Sequence, residues 1–531
     1  MPTDCISFRD TNYFSSLICD YLDENEQIKP FYNRFPKIEN FKAQIDEKQS
    51  SFQESSRAVL VNTLKTQYEN LNVSELTHKN IKALSQQNTF TVTTGHQLNL
   101  FTGPLYFLYK IISAINLSKE LKAKYSNYNF VPVYWMATED HDFDEINYFN
   151  FNGKKVQWTR QSSGAVGHLN TEGLDTVFDV FNTNLGFGEN SDFIKNLFKD
   201  AYLKHDNLAE ATRFLANELF STYGLVIIDA DDSNLKTQFA PYVKRELLEQ
   251  VSNAKVSEVN KNINDLGFKV QVNPREINLF YLKEGLRERI IEQNGNYLVN
   301  DTDITFTESE ILKELENYPE RFSPNVIMRP LYQEVILPNL CYIGGGGELA
   351  YWLQLKSYFE TVNVPFPMLL LRNSVLIKTE KQSGKIDKLD LSINELFAKQ
   401  DDLVNKQVEK YSEIDIDFTT QKEHLQKQFK HLYELAEQTD KSFLGAVAAQ
   451  EKKQLKGLNN LEKRLLKAQK RKLSNQISRI TDIQDQLFPG KSLQERNLNF
   501  SELYIEFGDQ LIQQLILNLQ PLKGDFLILE L

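Results

Sequence analysis

Three times along the chain an apolar run stops at a polar or glycine-bearing turn, and a helical pattern follows. The first turn is Thr94-Gly95-His96-Gln97, running on to Thr102-Gly103-Pro104. The second is Glu139-Asp140-His141-Asp142-Phe143-Asp144-Glu145, and the third is Gly344-Gly345-Gly346-Gly347-Glu348. A strand, a tight turn and a helix in succession bring the turn to one edge of a parallel sheet. In open α/β folds small ligands bind at that edge.

The runs themselves carry strand chemistry. Thr89-Phe90-Thr91-Val92-Thr93 is β-branched and aromatic, and Gly95 is expected to end it. Pro104 suits the first turn of a helix. Leu105, Leu108, Ile112, Ile115 and Leu117 then continue at helical spacing to about Lys124. Phe130 to Met136 reads as the next strand, so this stretch is a βαβ unit with a right-handed crossover. Leu225 to Asp229, Leu340 to Ile343 and Met368 to Leu371 read as further buried strands. A helix carrying Phe239, Val243 and Leu247 follows the first of these, and one from about Glu348 to Phe359 follows the second. Residues 146–220 and 265–322 break the alternation and read as insertions. In the latter, Val270-Gln271-Val272 and Leu279 to Leu282 are expected as short strands and Asn294-Gly295 as a hairpin turn.

From Ile386 to Leu487 there is no proline and very little glycine, and apolar residues recur at spacings of three and four. Phe418, Leu425, Phe429, Leu432 and Ala436 make one seam. Leu458, Leu461, Leu465 and Ala468 make another, which continues through Leu473, Ile477 and Ile480 after a one-residue phase shift. This is a coiled-coil pattern, expected as an antiparallel hairpin with a seam left for a dimer partner. A helical subdomain packed on the same chain's core is the other way to satisfy it. The organisation expected is an α/β core over residues 1–380, an α-helical coiled coil over 381–488, and a segment over 489–531 that returns to the core.

Composition excludes more than it selects. No apolar run reaches the ~20 residues of a membrane helix, and the first residues lack a basic-then-apolar leader. Cys5, Cys19 and Cys341 make neither a disulfide framework nor a CxxC metal site, which fits reduced thiols in the cytoplasm. A formal charge of −12 argues against a nucleic-acid partner, although Glu451 to Lys472 is strongly basic. A solvated helix face accounts for such a run.

The turns hold the candidate chemistry. Thr94, Gly95, His96 and Gln97 form a polar loop opening toward a helix terminus, suited to phosphate or carboxylate. His96 would protonate a leaving oxygen or orient a phosphate; Lys110, two turns into the helix, reads as a surface lysine. Asp140, His141, Asp142 and Asp144 could hold Mg²⁺, a substrate ammonium or sugar hydroxyls. Lying between carboxylates favours the protonated form of His141 and suits acid–base work. Gly344, Gly345 and Gly347 permit close backbone approach to a ligand. Glu348 favours the helix dipole or grips an amine, Tyr351 and Trp352 offer stacking faces, and Arg329, expected at a strand end, would clamp a carboxylate or phosphate.

These turns, with Thr102 to Tyr106, Met328-Arg329-Pro330, Leu337-Pro338, Tyr342 to Trp352 and Leu493-Gln494-Glu495-Arg496, resemble the bacillithiol biosynthesis cysteine-adding enzymes, the BshC family. The resemblance covers essentially the whole chain. Three positions depart from the family pattern: Gly346 where proline is usual, Gln333-Glu334 where glutamine-aspartate is usual, and His96 where a glutamine is usual.

The resemblance implies a Rossmann-like core related to nucleotidyltransferases and class I synthetases, with two connecting insertions and a dimerising antiparallel coiled-coil arm. It implies ligation of L-cysteine to glucosaminyl malate, completing bacillithiol, with ATP or ADP bound and the metal left open. His141, Asp140, Asp142 and His96 would be catalytic. Thr94, Gly95, Gln97, Asp144, Arg329, Gly344, Gly345, Gly347, Glu348, Tyr351 and Trp352 would bind substrate. Amide formation from a free carboxylate is unfavourable in water, so an activated carboxyl, adenylate or phosphate, is expected. A non-catalytic scaffold of the same fold, recruiting partners through the coiled coil, is the alternative.

Overall fold

A computed structural model describes residues 4–439 and 441–531. The chain divides into two compact units. One comprises residues up to Ile377 together with Leu493–Leu529 and Leu531; the other comprises Lys378–Ser492 with Glu530.

The first unit is built on five parallel strands, β1 (Thr89–His96), β2 (Asn129–Met136), β3 (Val226–Asp229), β4 (Asn339–Gly344) and β5 (Met368–Leu371). Every residue of β1, β4 and β5 is buried, the mark of strands covered on both faces. Their order across the sheet is β5-β4-β1-β2-β3. Read from the other edge this is 3-2-1-4-5, the doubly wound order whose switch point lies between β1 and β4. The β1–β2 crossover is α1 (Tyr106–Lys124), whose Ala114, Leu117 and Leu121 pack on Phe90, Val92, Phe130 and Ile343.

The structure moves several expected boundaries. Strand β1 runs through Gly95 to His96, and α1 begins at Tyr106 rather than Pro104. A short 3₁₀ turn (Leu100–Thr102) fills the gap, with Phe101 and Thr102 at positive φ, so the first turn does not open directly onto a helix terminus. Arg329 is the first residue of a helix, Arg329–Ile336, rather than the end of a strand. The helix expected from Glu348 to Phe359 is two, α2 (Gly346–Trp352) and a second over Lys356–Thr361.

Between β2 and β3 the chain forms a short helix (Phe143–Ile146), a hairpin (Tyr148–Phe151 with Lys154–Gln157) and the helices Leu174–Asn182, Glu189–Tyr202 and Leu208–Phe220. Phe101, Phe149, Phe181 and Phe198 cluster there, with ring centroids 4.9–5.7 Å apart. Between β3 and β4 lie helices Ser233–Glu249 and Val251–Asp265 and a five-stranded antiparallel sheet spanning Leu279 to Pro324. Asn294 and Gly295, both at positive φ, make its hairpin turn. Val270–Val272 is irregular rather than a strand, because Gln354 Oε1 accepts from the Gln271 and Val272 amides at 3.0 Å each. Leu493–Leu529 belongs to this first unit: Glu495 accepts from both terminal nitrogens of Arg372, at 2.7 and 3.0 Å.

The second unit is helical. Its longest helices are Thr419–Ala436 and Lys441–Lys472. Lys422 pairs with Glu462 and Tyr433 with Glu451, so the two run in opposite directions. Phe429, Ala436 and Val447 form one seam with Leu425. Leu465, Leu473 and Ile477 form another, with Val404 and Val408 of the helix Gln400–Tyr411 and Ile416 of the loop after it. Leu473 separates Lys441–Lys472 from Ser474–Leu487, which accounts for the phase shift. Leu432 and Leu461 lie outside these seams, 38% and 53% exposed. No helix among the described residues is long and apolar enough to cross a membrane.

Candidate functional site

The carboxyl ends of all five strands open onto one cavity of about 1220 Å³ within the first unit. All three turns reach it, through Gly95, His96 and Gln97, through Glu139, Asp140, Asp144 and Glu145, and through Gly345, Gly346, Gly347 and Glu348. The β-strand order sorts their charge. Arg372 follows β5 and Glu348 follows β4, whereas Glu139 and Asp140 follow β2 and Asp231 follows β3.

On the β1–β4–β5 side the central fixture is Lys110. It is buried, not a surface residue: its ammonium donates to the Gly95 carbonyl at 2.7 Å and pairs with Glu348 at 2.5 Å. Glu348 also accepts from the Tyr342 hydroxyl (2.6 Å) and the Gly345 amide (2.8 Å). Burial alone would raise its pKa, but the Lys110 charge and the Gly345 hydrogen bond hold it below the usual carboxylate value. Glu348 is thereby committed to bracing α1 against α2, rather than to an incoming amine. A Cβ at Gly95 would stand 3.3 Å from the Tyr342 hydroxyl, a tight contact that a small shift of that side chain would have to relieve.

Arg329 stands beside this brace. Its guanidinium lies 5.5–5.9 Å from the Trp135, Tyr342 and Trp352 ring centres. It donates to Gln333 Oε1 and the Tyr351 hydroxyl, both at 3.2 Å. Among the described residues no carboxylate lies within ion-pairing distance of it, although it faces the cavity. Burial would lower its pKa, yet Tyr351, Tyr342 and Glu348 keep the cation favoured. Gln333, which orients it, is in turn held by Glu334, whose carboxylate pairs with buried Lys48 at 3.1 Å.

His96 lines the same wall, and its ring sits against Tyr106 and Phe107. Burial first, then the Lys110 charge, pushes its pKa down to about 3. The uncharged ring is thus the resting form, which takes away the proton expected for a leaving oxygen. Its Nε2 has no partner among the described residues.

On the β2 side Gln97 bridges two carboxylates, donating 2.9 Å hydrogen bonds to Asp140 and to Glu145. Against the opposing effect of burial, hydrogen bonds from His141 and Gln97 and the charge of Arg287 hold the Asp140 carboxyl well below its ordinary value. His141 and Asp142 are exposed and stand outside the cavity wall. Arg287 donates to His141 Nδ1 at 2.7 Å, so that nitrogen acts as an acceptor rather than as a proton-loaded acid. No group of three or more His, Cys, Asp or Glu among the described residues converges as metal ligands.

Three other expected binding residues are structural. The Thr94 hydroxyl donates to the Ile343 carbonyl at 2.8 Å, tying β1 to β4. Gly344 is hemmed in by Glu348, Leu349 and Tyr342, each 3.0 Å from where a Cβ would stand. Trp352 is fully buried, stacked on Tyr342 at 4.6 Å. None of the three lines the cavity, whereas Tyr351 does. Conversely Lys110, Asp231, Arg287, Arg372 and Arg496 line it without having been singled out as site residues. For Arg496 a signal existed in the Leu493-Gln494-Glu495-Arg496 motif; for the others there was none at close range in the sequence.

Comparison with known proteins agrees with this architecture. The family described as "Bacillithiol biosynthesis BshC, N-terminal Rossmann-like domain" matches residues 1–373, and its C-terminal coiled-coil domain matches residues 375–531. A protein of Christiangramia forsetii is 61% identical over 100% of this chain and 99% of its own length. One of Flavobacterium johnsoniae is 62% identical over the whole of both chains, and one of Cytophaga hutchinsonii 40% over 97% and 96%. Each bears the name "Putative cysteine ligase BshC". Among solved structures, a Campylobacter jejuni chain titled "putative arginyl t-RNA synthetase" aligns with 84% of this one and 98% of its own length at 11% identity and a TM-score of 0.22. The chain belongs to the bacillithiol biosynthesis BshC family of ligases.

Proposed function

We propose that the protein joins the carboxyl of L-cysteine to the amine of glucosaminyl malate, the last bond of bacillithiol. The observation that carries this reading is Arg329: a half-buried guanidinium, oriented by Gln333 and Tyr351, facing a cavity with no carboxylate of its own to neutralise it. A cation so placed favours an anionic ligand group. Carboxylates on the opposite flank, Asp140 and Asp231, suit an ammonium. One cavity therefore offers the two charges that an amide-forming pair presents.

A nucleotide fits the β4 side. Gly345 and Gly347 leave open backbone at the wall, where an added Cβ would meet only side-chain ends at 3.5 Å or more. Arg329 and Arg496 would hold its phosphates. When bound, ATP supplies a leaving group for the cysteine carboxyl. The chain's own contribution is to hold the anionic groups at Arg329, keep Lys110 and Glu348 locked as a brace, and set the acceptor amine beside carboxylates that favour its approach. The exposed Leu432 and Leu461 suit a homodimer through the helical unit.

The test is to incubate the protein with cysteine, glucosaminyl malate and ATP and follow the thiol product by mass spectrometry. Product with the wild-type chain, and at least 100-fold less with Arg329→Ala, supports the ligase reading. No product from a folded wild-type chain favours a scaffold.

A further inference from the structure

Two side chains of the first turn, His96 and Asn99, line the cavity and each keeps a buried acceptor without a donor. The Thr102 carbonyl accepts from the His96 ring, and Nε2 has no partner among the described residues, so the hydrogen sits on Nδ1 and Nε2 offers only a lone pair. Asn99 is oriented in the same way. Its Nδ2 donates to the Glu145 carbonyl at 3.3 Å, which leaves Oδ1 without a partner among the described residues. The two residues are 7% and 8% exposed. They flank one turn: a Cβ at Gly103, next to Thr102, would stand 2.6 Å from the Asn99 Cβ. That turn is held firmly although Phe101 and Thr102 sit at positive φ. The Phe101 amide donates to the Tyr202 hydroxyl, and Asn499 Nδ2 donates to the Phe101 and Gly103 carbonyls, each at 2.7 Å.

A buried acceptor with no donor costs free energy, and a ligand that brings the donor recovers it. Ionised carboxylate and phosphate oxygens carry no hydrogen to give. A cation fits no better, because burial, then the Lys110 charge, keeps the ring itself uncharged, and the same burial opposes an ammonium. A neutral donor is left, and the hydroxyl-rich partner in the reaction is the aminosugar. We propose that His96 Nε2 and Asn99 Oδ1 form a subsite for hydroxyl groups of the acceptor's sugar ring; this rests on the ligase reading above.

The neighbourhood favours the acceptor sugar over the ribose of a nucleotide. Asn99 is tied to the carboxylate flank: Glu145, whose carbonyl it meets, also accepts from Gln97, and Gln97 donates to Asp140. Glucosamine carries its amine and a hydroxyl on adjacent ring carbons, so an amine at Asp140 and hydroxyls at Asn99 and His96 suit one ring. Tyr148 and Asn150 extend this wall, on a strand whose Phe149 packs on Phe101 with ring centres 5.5 Å apart. Asn150 is itself fixed, donating to the Asn497 carbonyl at 3.1 Å. The open glycine backbone and Arg329, which suit a nucleotide, lie instead after β4.

The experiment is a cycle between side-chain variants and deoxygenated ligands, read by titration calorimetry. Glucosaminyl malate, its ring-deoxy analogues and the two ribose-deoxy forms of ATP are titrated into wild type, His96→Phe, His96→Gln and Asn99→Ala. Wild type should bind at least one ring-deoxy analogue about 10-fold more weakly than the parent. His96→Phe should weaken the parent by a similar factor and bind parent and that analogue within about twofold of each other. His96→Gln, whose amide oxygen can accept, should keep the preference. A purely structural role would weaken parent and analogue alike. Should His96→Phe not fold, Asn99→Ala carries the same cycle for its own hydroxyl. A wild type that binds every ring-deoxy analogue as tightly as the parent overturns the subsite while the ligase reading stands. So does a preference that follows the ribose hydroxyls of ATP instead. A folded wild type that does not bind glucosaminyl malate removes both.

Discussion

The two flanks of the cavity handle charge in opposite ways. On the β4–β5 flank the ions are closed into pairs: Lys110 with Glu348, and Arg372 with a Glu495 that also accepts from Ser374 and Val375. Arg329 and Arg496 face the cavity and stand in no ion pair among the described residues. On the β2–β3 flank the carboxylates outnumber the cations, and one of them, Asp231, is hydrogen-bonded to the half-exposed His168. The lesson is that a buried pair fixes geometry, whereas an unpaired or solvent-linked charge is available for chemistry.

That contrast can be broken experimentally. The largest effect is expected from Arg372→Met, which leaves Glu495 buried without its cation and should cost about 3–5 kcal/mol of stability in urea unfolding. Arg329→Ala breaks no ion pair among the described residues, so its melting midpoint should hold. Its coupling kcat/KM should drop at least 100-fold, about 2.7 kcal/mol of transition-state stabilisation. If both variants are merely unstable, the two flanks do not differ as described.

A third probe is pH. The native state holds His96 near pKa 3, whereas an unfolded histidine titrates near 6.5. The unfolded chain therefore binds more protons between those values, and stability should be lost as pH falls from about 6.5 toward 3. The slope from this one residue is at most about 1.4 kcal/mol per pH unit. Urea melts of wild type and His96→Gln across that range should show a flatter slope for the variant. The smallest effect is expected in the other unit: Leu461, 53% exposed, should change stability by less than about 0.5 kcal/mol on replacement by Ala.

What could be read from the chain follows from the range of each interaction. The β1–α1–β2 run was legible because period-two and period-3.6 patterns are local, and the parallel sheet follows from them. The meeting of the three turns was also legible, since strand ends share an edge. Burial of individual polar residues was not. Lys110 has the spacing of a surface lysine, and only Gly95 and Glu348, far apart in sequence, make it a buried brace. Arg372 and Glu495 are 123 residues apart. Trp352 and Tyr351 are neighbours on one helix, yet only Tyr351 faces the cavity, because α2 turns its indole onto Tyr342. His141 stood in the most acidic stretch of the chain, but Phe143 and Ile146 are the buried members of that turn and leave the imidazole outside.

The most direct measurement is a crystal structure of the protein with glucosaminyl malate and a nonhydrolysable ATP analogue. The account predicts the ligand amine within hydrogen-bond reach of Asp231 or Asp140 and an anionic oxygen on Arg329, all inside the one cavity. Ligands bound elsewhere, or an amine set against Arg329, would contradict it.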